Sequence, residues 1–358
     1  MNTIIKHSKN KIAFSLFLTL FAISTLAQEG IHEISFKKVQ GTETDHERTL
    51  KSIVKVRDIS EQYSTGGLYL ITHFGDRENL FIKENQKAQQ YPMIDQPWRW
   101  CSMFSSNTDN GVVMGRNWDN QNVGSIILSY YKPEEGYASI SFSRSIDMGF
   151  PLNVDLEGIA QTPYGDKLLL APFYAYDGIN EHGLCAGVTG VSAFKVKPVD
   201  GKESIFIGYL IRKILDQTRS VEEAVNLISR HVPFDLTPTE INSHFYVCDA
   251  SGKSVILEYI DNDWKKTCSE KKWQVMTNKV IFNVPDASLR EKCWRYESIS
   301  STLEKTKGSI NWQQAMQILK DVSQKGTTWS VVYSPTNKDM YFSVYQTWEK
   351  IYHLKLSL

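Results

Sequence analysis

Two short apolar runs, one around W-R-W-C-S-M-F and one leading into G-R-N-W-D, flank the polar stretch Asn107-Thr108-Asp109-Asn110-Gly111. Asn-Gly between strand-like segments is a strong hairpin signal, so the pattern predicts two antiparallel strands closing on this turn. Strands continue beyond it, over Ser125 to Tyr131 and Ala138 to Phe142. Ile207, Leu210, Ile211 and Ile214 then fall at i, i+3, i+4 and i+7, the spacing of one helical face. Ser220 with Glu223 reads as a capping box opening a second helix, whose face is Val221, Ala224, Val225 and Ile228. His244 to Cys248 and Ser254 to Tyr259 form a hairpin about Asp249-Ala250-Ser251-Gly252, and Val275 to Asn278 is a short strand ending on a polar residue. Asn311 opens a helix with Ala315, Ile318, Leu319 and Val322 inward. Trp329 to Tyr333 and Met340 to Tyr345 close the chain as a last hairpin around Ser334-Pro335-Thr336-Asn337. Helices set between blocks of antiparallel hairpins predict a layered α+β domain, sheets covered by helices.

The chain ahead of the first hairpin differs in character. Lys6, Lys9 and Lys11 precede the apolar stretch Ile12 to Leu26, and Ala27 is a small residue at a cut. Residues 1–27 therefore read as a signal peptide, too short for an ordinary membrane span, and imply export to the periplasm or medium with no stable span after its removal. Residues 28–100 form the next block. Glu47 to Tyr63 predicts a charged helix with Leu50, Ile53 and Val54 inward; Gly66-Gly67 breaks it, and Leu68 to Ile71 predicts a buried strand. Pro92 and Pro97 bracket an irregular approach to Cys101, which suits either a processing site or a linker. The formal net charge is zero, giving no electrostatic case for nucleic acid.

Five cysteines in an exported chain leave at least one thiol unpaired, and Cys101 is the candidate. Cys185, Cys248, Cys268 and Cys293 could form two bridges in three ways, or stay as small buried apolar residues. The eight histidines lack metal-ligand spacing, and neither G-x-S-x-G, a P-loop nor G-x-G-x-x-G occurs. No cofactor or metal is expected.

The predicted hairpin returns Arg116 and Asp119 beside Cys101. Were Cys101 released as an N-terminus by cleavage after Trp100, its α-amino group, with a reference pKa of about 7.7–8.0, could serve as base to its own thiol. Arg116 would favour the thiolate and Asp119 would hold the amine. The resulting thiolate could attack a carbonyl and form an acyl-enzyme. The plainer reading is an ion pair on a hairpin surface, which contributes little.

C-S-M-F…G-R-N-W-D resembles the opening of the choloylglycine hydrolase family, the linear-amide C–N hydrolases. Asp177-Gly178-Ile179-Asn180-Glu181-His182-Gly183-Leu184 is similar to that family's G-x-N-E-x-G-L segment. Ser220-Val221-Glu222-Glu223, Asp249 to Ser254, Thr277-Asn278 and Cys293-Trp294-Arg295-Tyr296 follow in the family's order, so the likeness spans most of residues 101–346. The resemblance implies an αββα sandwich of the N-terminal nucleophile hydrolase type. It assigns Cys101 as nucleophile and base, Arg116 and Asp119 as its assistants, Asn278 to the oxyanion region and Arg295 to support of the thiol. Against this, Asn278 could merely end a strand, Arg295 could lie over Trp294 and Tyr296, and Asn180 with Glu181 shape a turn. The position of Cys101 is similar to that in relatives with a self-cleaved pro-segment, which makes residues 28–100 the pro-segment and 101–358 the catalytic domain. The oxyanion asparagine of bile salt hydrolases has no counterpart in Gly187-Val188-Thr189-Gly190, so a backbone N–H or Thr189 would substitute.

The expectation is an exported amidase acting on a small-molecule N-acyl amide. Fatty N-acyl amines or N-acyl amino acids come first, then conjugated bile salts or penicillin-like amides. Acyl transfer to an amine and a non-catalytic binding protein on the same fold are the alternatives, and a homo-oligomer stays open.

Overall fold

The structure, a computed structural model, describes residues 30–58, 66–88, 100–120, 124–235 and 240–356. Residues 30–88 supply β1 (Ile31–Glu33), α1 (Asp45–Lys51), β2 (Val54–Asp58), β3 (Gly67–His73) and α2 (Glu78–Ala88). After Cys101 come β4 (Ser102–Thr108), β5 (Gly111–Asp119), β6 (Ile126–Tyr131) and β7 (Ser139–Arg144). Two 3-10 segments, Ser145–Met148 and Pro163–Tyr174, flank α3 (Leu156–Ile159). Then follow β8 (Asp177–Asn180), β9 (Cys185–Lys195), β10 (Glu203–Phe206), α4 (Ile207–Gln217), α5 (Val221–Ile228), β11 (His231–Phe234) and β12 (Glu240–Cys248). The chain closes with β13 (Ser254–Ile260), β14 (Asp263–Thr267), β15 (Trp273–Met276), α6 (Asp286–Lys292), α7 (Trp294–Lys305), α8 (Trp312–Asp321), β16 (Thr327–Ser334), β17 (Asp339–Val344) and β18 (Ile351–Lys355).

Two large sheets form the centre. One runs β1-β18-β17-β16-β5-β4-β15 and the other β14-β13-β12-β9-β8-β7-β6-β3-β2. They face each other through side chains: Phe142 of β7 stacks on Trp329 of β16 at 5.3 Å, and Ser105 Oγ of β4 meets Tyr246 OH of β12 at 2.7 Å. Helices α7 and α8 cover the outer face of the first sheet; α4, α5 and the Pro163–Tyr174 segment cover the second. The expected αββα sandwich is therefore present.

The central hairpin is as its turn predicts, with Thr108 paired to Gly111 and Ser102 to Asn117. Gly111 takes φ +104°, a left-handed value that glycine adopts without a Cβ penalty. The strands expected over 125–131, 138–142, 244–248, 254–259, 275–278, 329–333 and 340–345, and the helices opening at Ile207, Ser220 and Asn311, lie within one or a few residues of their predicted bounds.

Other expectations change. The helix predicted from Glu47 to Tyr63 stops at Lys51, because Val54 to Asp58 is β-branched and alternating and pairs with β3; residues 59–63 lie outside the described residues. Only half of the Ser220 capping box forms. Ser220 Oγ accepts from Glu223 N at 3.2 Å, but the Glu223 carboxylate accepts from Arg219 N at 2.9 Å. Helices α6 and α7, the 3-10 segment at Pro163–Tyr174 and the outer strands β1 and β18 are additions to the predicted elements. Residues 1–27, Pro92 and Pro97 lie outside the described residues. Among the described residues no helix is long and apolar enough to cross a membrane.

Residues 30–88 are woven into both sheets. β1 runs parallel to β18 in the first, and β3 runs parallel to β6 in the second, with Leu68, Tyr69, Leu70 and Ile71 essentially inaccessible.

Candidate active site

Four strand ends of the first sheet meet at one point. β4 begins there just after Cys101, β5 ends there on Asp119, β15 ends there two residues before Asn278, and β16 begins there on Thr327. Because these four strands are antiparallel neighbours, residues far apart in sequence converge without any long loop. Arg295, in the first turn of α7, reaches the same point from the outer layer.

The thiol of Cys101 is fully buried, and burial pushes its pKa up. The charges of Arg116 and Arg295 and a hydrogen bond from the Asp119 backbone pull the other way, while the Asp119 carboxylate adds to the rise. Asp119 is held by two donors, Thr327 Oγ1 at 2.6 Å and Gln324 Nε2 at 3.0 Å, with Arg295 Nη1 at 3.6 Å. Burial nevertheless dominates and raises its pKa to about 6.

That shift has a consequence for stability. An unfolded aspartate ionises near 3.8, so between about pH 4 and pH 6 the native chain keeps a proton that the unfolded chain has lost. The contribution of Asp119 to stability is therefore full below that window, falls as pH rises through it by about 3 kcal/mol, and is level above it. Urea unfolding of Cys101→Ala with and without Asp119→Asn at pH 4 and pH 7 measures this. The Asn variant is expected to lose most of that pH-dependent difference, and an unchanged difference would refute the assignment.

Arg116 does not pair with Asp119, and it is not a surface residue. Its guanidinium is fully buried, donates to Asp177 Oδ2, and also donates to Tyr176 O at 2.8 Å and Val188 O at 2.7 Å. It lies 4.8 Å from the ring centroid of Trp118. Asp177 in turn accepts from Trp329 Nε1 at 3.3 Å and from Tyr333 OH. Arg116 thus ties β5 to β8 and β9 across the sandwich while its charge acts on Cys101. The chain leaves room for it at Gly187, where a Cβ would come within 2.7 Å of Met103 Cε and 3.3 Å of Arg116 Nη1.

Arg295 is the hub of the site. Nη1 donates to Trp100 O at 2.9 Å and to Cys101 O at 2.7 Å; Nη2 donates to Asn278 Oδ1 at 2.8 Å. Asn278 Nδ2 donates to Gly190 O at 2.7 Å, so its amide joins the two sheets. Behind it, the buried His244 contacts Thr277 O at 2.9 Å and Glu258 at 3.1 Å, and Glu258 accepts from Ile281 N and Phe282 N. Thr189 Oγ1 lies 3.5 Å from Thr277 O, on the same wall. Asn180 shapes its turn, accepting from His182 N and Leu184 N at 3.0 Å each, and Glu181 accepts from Ala138 N.

Of the five residues expected at the site, Cys101, Asp119, Asn278 and Arg295 are joined at this point, while Arg116 reaches it only through its charge, its guanidinium being bound to Asp177, Tyr176 and Val188. Asp177, Thr327 and Gln324 join them without having been singled out for a role. The Cys101, Cys185, Cys248 and Cys293 thiols are buried and that of Cys268 is exposed, with no disulfide among them.

The sequence matches the choloylglycine hydrolase family of linear amide C–N hydrolases over residues 101–305. A penicillin V acylase of Pectobacterium atrosepticum is 32% identical over 117 residues, which cover 30% of this chain and 31% of that one; the match spans under a third of the relative's length. A variant of the conjugated bile acid hydrolase from Clostridium perfringens has a similar fold, with a TM-score of 0.50 at 15% identity over 72% of this chain and 92% of that one. A penicillin V acylase from Agrobacterium tumefaciens aligns at a TM-score of 0.49 and 19% identity, covering 72% and 86%. With a family match over more than half its length, lying on the sandwich and on the residues of the Cys101 site, the chain belongs to the choloylglycine hydrolase family of linear amide C–N hydrolases.

Proposed function

We propose that this protein is an exported amidase, made as a precursor and matured by cleavage between Trp100 and Cys101. The observation that carries the reading is the placement of Cys101: a buried thiol with Arg295 holding the carbonyls on both sides of its peptide nitrogen. Cleavage would free that nitrogen as an amine beside the Asp119 carboxylate and uncover the thiol. The amine then takes the thiol proton, sulfur attacks the amide carbon of the substrate, and the amine passes the proton to the departing nitrogen. Water resolves the thioester by the same route. In this reading Asn278 lines the oxyanion region and Arg295 supports the thiol, and an oxyanion donor contributes on the order of 3 kcal/mol to barrier lowering.

A hydrophobic acyl group is favoured by the chain's aromatic content, 12% of its residues, part of which packs between the two sheets. Trp118 stacks on Trp329 at 5.0 Å and lies 4.1 Å from Tyr176. Fatty N-acyl amines or N-acyl amino acids are favoured on this ground, followed by conjugated bile salts and penicillin-like amides. The relatives named penicillin V acylase and conjugated bile acid hydrolase keep the last two classes in the test. Residues 1–27 are read as the export signal.

Incubating purified protein with a panel of N-acyl amides and following released amine tests the activity; release from none of them would reject it. Mass spectrometry tests maturation, with a chain beginning at Cys101 as the expected product. The segment ending at Trp100 is expected to co-elute with it on gel filtration, because β1 and β3 lie inside the two sheets. A fully active uncut chain would sink the maturation claim.

A further inference from the structure

We infer that Gln324 is a catalytic residue for cutting the Trp100–Cys101 bond, binding with Arg295 the oxyanion that forms on the Trp100 carbonyl. The inference rests on the maturation reading above. The carbonyl oxygen of Trp100 receives two side-chain donors, Arg295 Nη1 at 2.9 Å and Gln324 Nε2 at 3.2 Å. A peptide carbonyl at an exposed site is satisfied by water. Here one cationic and one neutral N–H converge on a single oxygen, at the one carbonyl that an N-terminal nucleophile must break.

Both donors are fixed from behind. Gln324 Nε2 also donates to Asp119 Oδ2 at 3.0 Å, its backbone N–H donates to Thr327 Oγ1 at 2.8 Å, and its carbonyl accepts from Gln346 Nε2 at 2.9 Å. Arg295 is anchored on Asn278 and on the Cys101 carbonyl. Donors positioned in advance cost no reorganisation when charge appears, which is why they lower a barrier.

The step balances within the chain and water. Cys101 Sγ bonds to the Trp100 carbonyl carbon through a five-membered ring, and the oxygen takes the negative charge between Arg295 and Gln324. The C–N bond then breaks, and the thiol proton ends on the Cys101 nitrogen. Water adds to the resulting thioester, the C–S bond breaks, and the products are a Trp100 carboxylate and a Cys101 with free amine and thiol. Gln324 thus serves an oxygen of the protein itself, a task finished once the segment is cut.

Time courses of cutting, read by mass spectrometry at neutral pH, test this on wild type, Gln324→Ala and Gln324→Glu. Loss of one oxyanion donor slows such steps by roughly 10²–10³-fold, and a slowing of that order is expected for Gln324→Ala. Gln324→Glu, near in shape, is expected to be slower still at neutral pH and to gain rate as the medium is acidified, since a protonated carboxyl again offers a donor. Hydroxylamine, which intercepts thioesters, is expected not to restore either variant, because the defect precedes the thioester. Folding is checked by thermal unfolding of each variant on Cys101→Ala. Wild-type cutting with undiminished cutting in both variants overturns this inference alone, as does full rescue by hydroxylamine. An uncut wild-type chain overturns the maturation reading and this inference with it.

Discussion

Cys101→Ala is expected to abolish both events assigned to the site, leaving a single uncut chain with amide turnover reduced by at least about 10⁴-fold. The magnitude follows from covalent catalysis: without sulfur there is no thioester, and the surrounding donors can only polarise an amide for direct attack by water. The side chain is buried, so alanine removes one sulfur from a packed site and the fold is expected to survive. The same variant separates two readings. A protein that only binds acyl amides on this fold would keep its ligand affinity and lose no turnover, having none. Retention of more than about a tenth of wild-type turnover would assign the nucleophile elsewhere.

Asp177→Ala is expected to be the most damaging substitution outside the nucleophile, costing about 3–5 kcal/mol in urea unfolding. Asp177 is buried on β8, accepts from Arg116, Trp329 and Tyr333, and sits between the two sheets. Burial pushes its pKa up, and the Arg116 guanidinium and the donors from Tyr333 and Trp329 pull it back. Removing the carboxylate leaves a guanidinium in the middle of the sandwich with two carbonyls and the Trp118 ring but no counter-charge bonded to it. Asp177→Asn keeps the shape but loses the charge and one acceptor oxygen, so it divides the packing loss from the polar one. A loss under about 1 kcal/mol in both would mean that Arg116 finds another partner or water.

The hairpin was legible because its signal is local: Asn110-Gly111 sets the turn, and the turn sets the register that returns Arg116 and Asp119 to Cys101. Asn278 and Arg295 came only through the family's ordered motifs, since nothing in their own neighbourhoods marks them. Asp177 stood inside a quoted motif without a role, because its partners Arg116, Trp329 and Tyr333 lie on β5 and β16. Thr327 and Gln324 were invisible for the same reason: the turn before β16 gains meaning only when β16 pairs with β5. Helices α6 and α7 could have been found. Leu289, Cys293, Tyr296, Ile299 and Leu303 recur every three or four residues and are all buried. The break at Cys293, with φ −145° and ψ 102°, interrupts the helix but not the stripe.

The parallel pairing of β1 with β18 and of β3 with β6 bears on how the enzyme can be made. A gene begun at Cys101 would supply the amine without any cut, yet its product would lack the strands that cover those positions. Backbone N–H and C=O groups of β18 and β6 would face solvent in rows, and the apolar side chains under Leu68 to Ile71 would be bare. Such borders recruit other chains. A chain begun at Cys101 is thus expected to form inclusion bodies unless residues 28–100, which carry β1 and β3, are supplied alongside as a separate polypeptide.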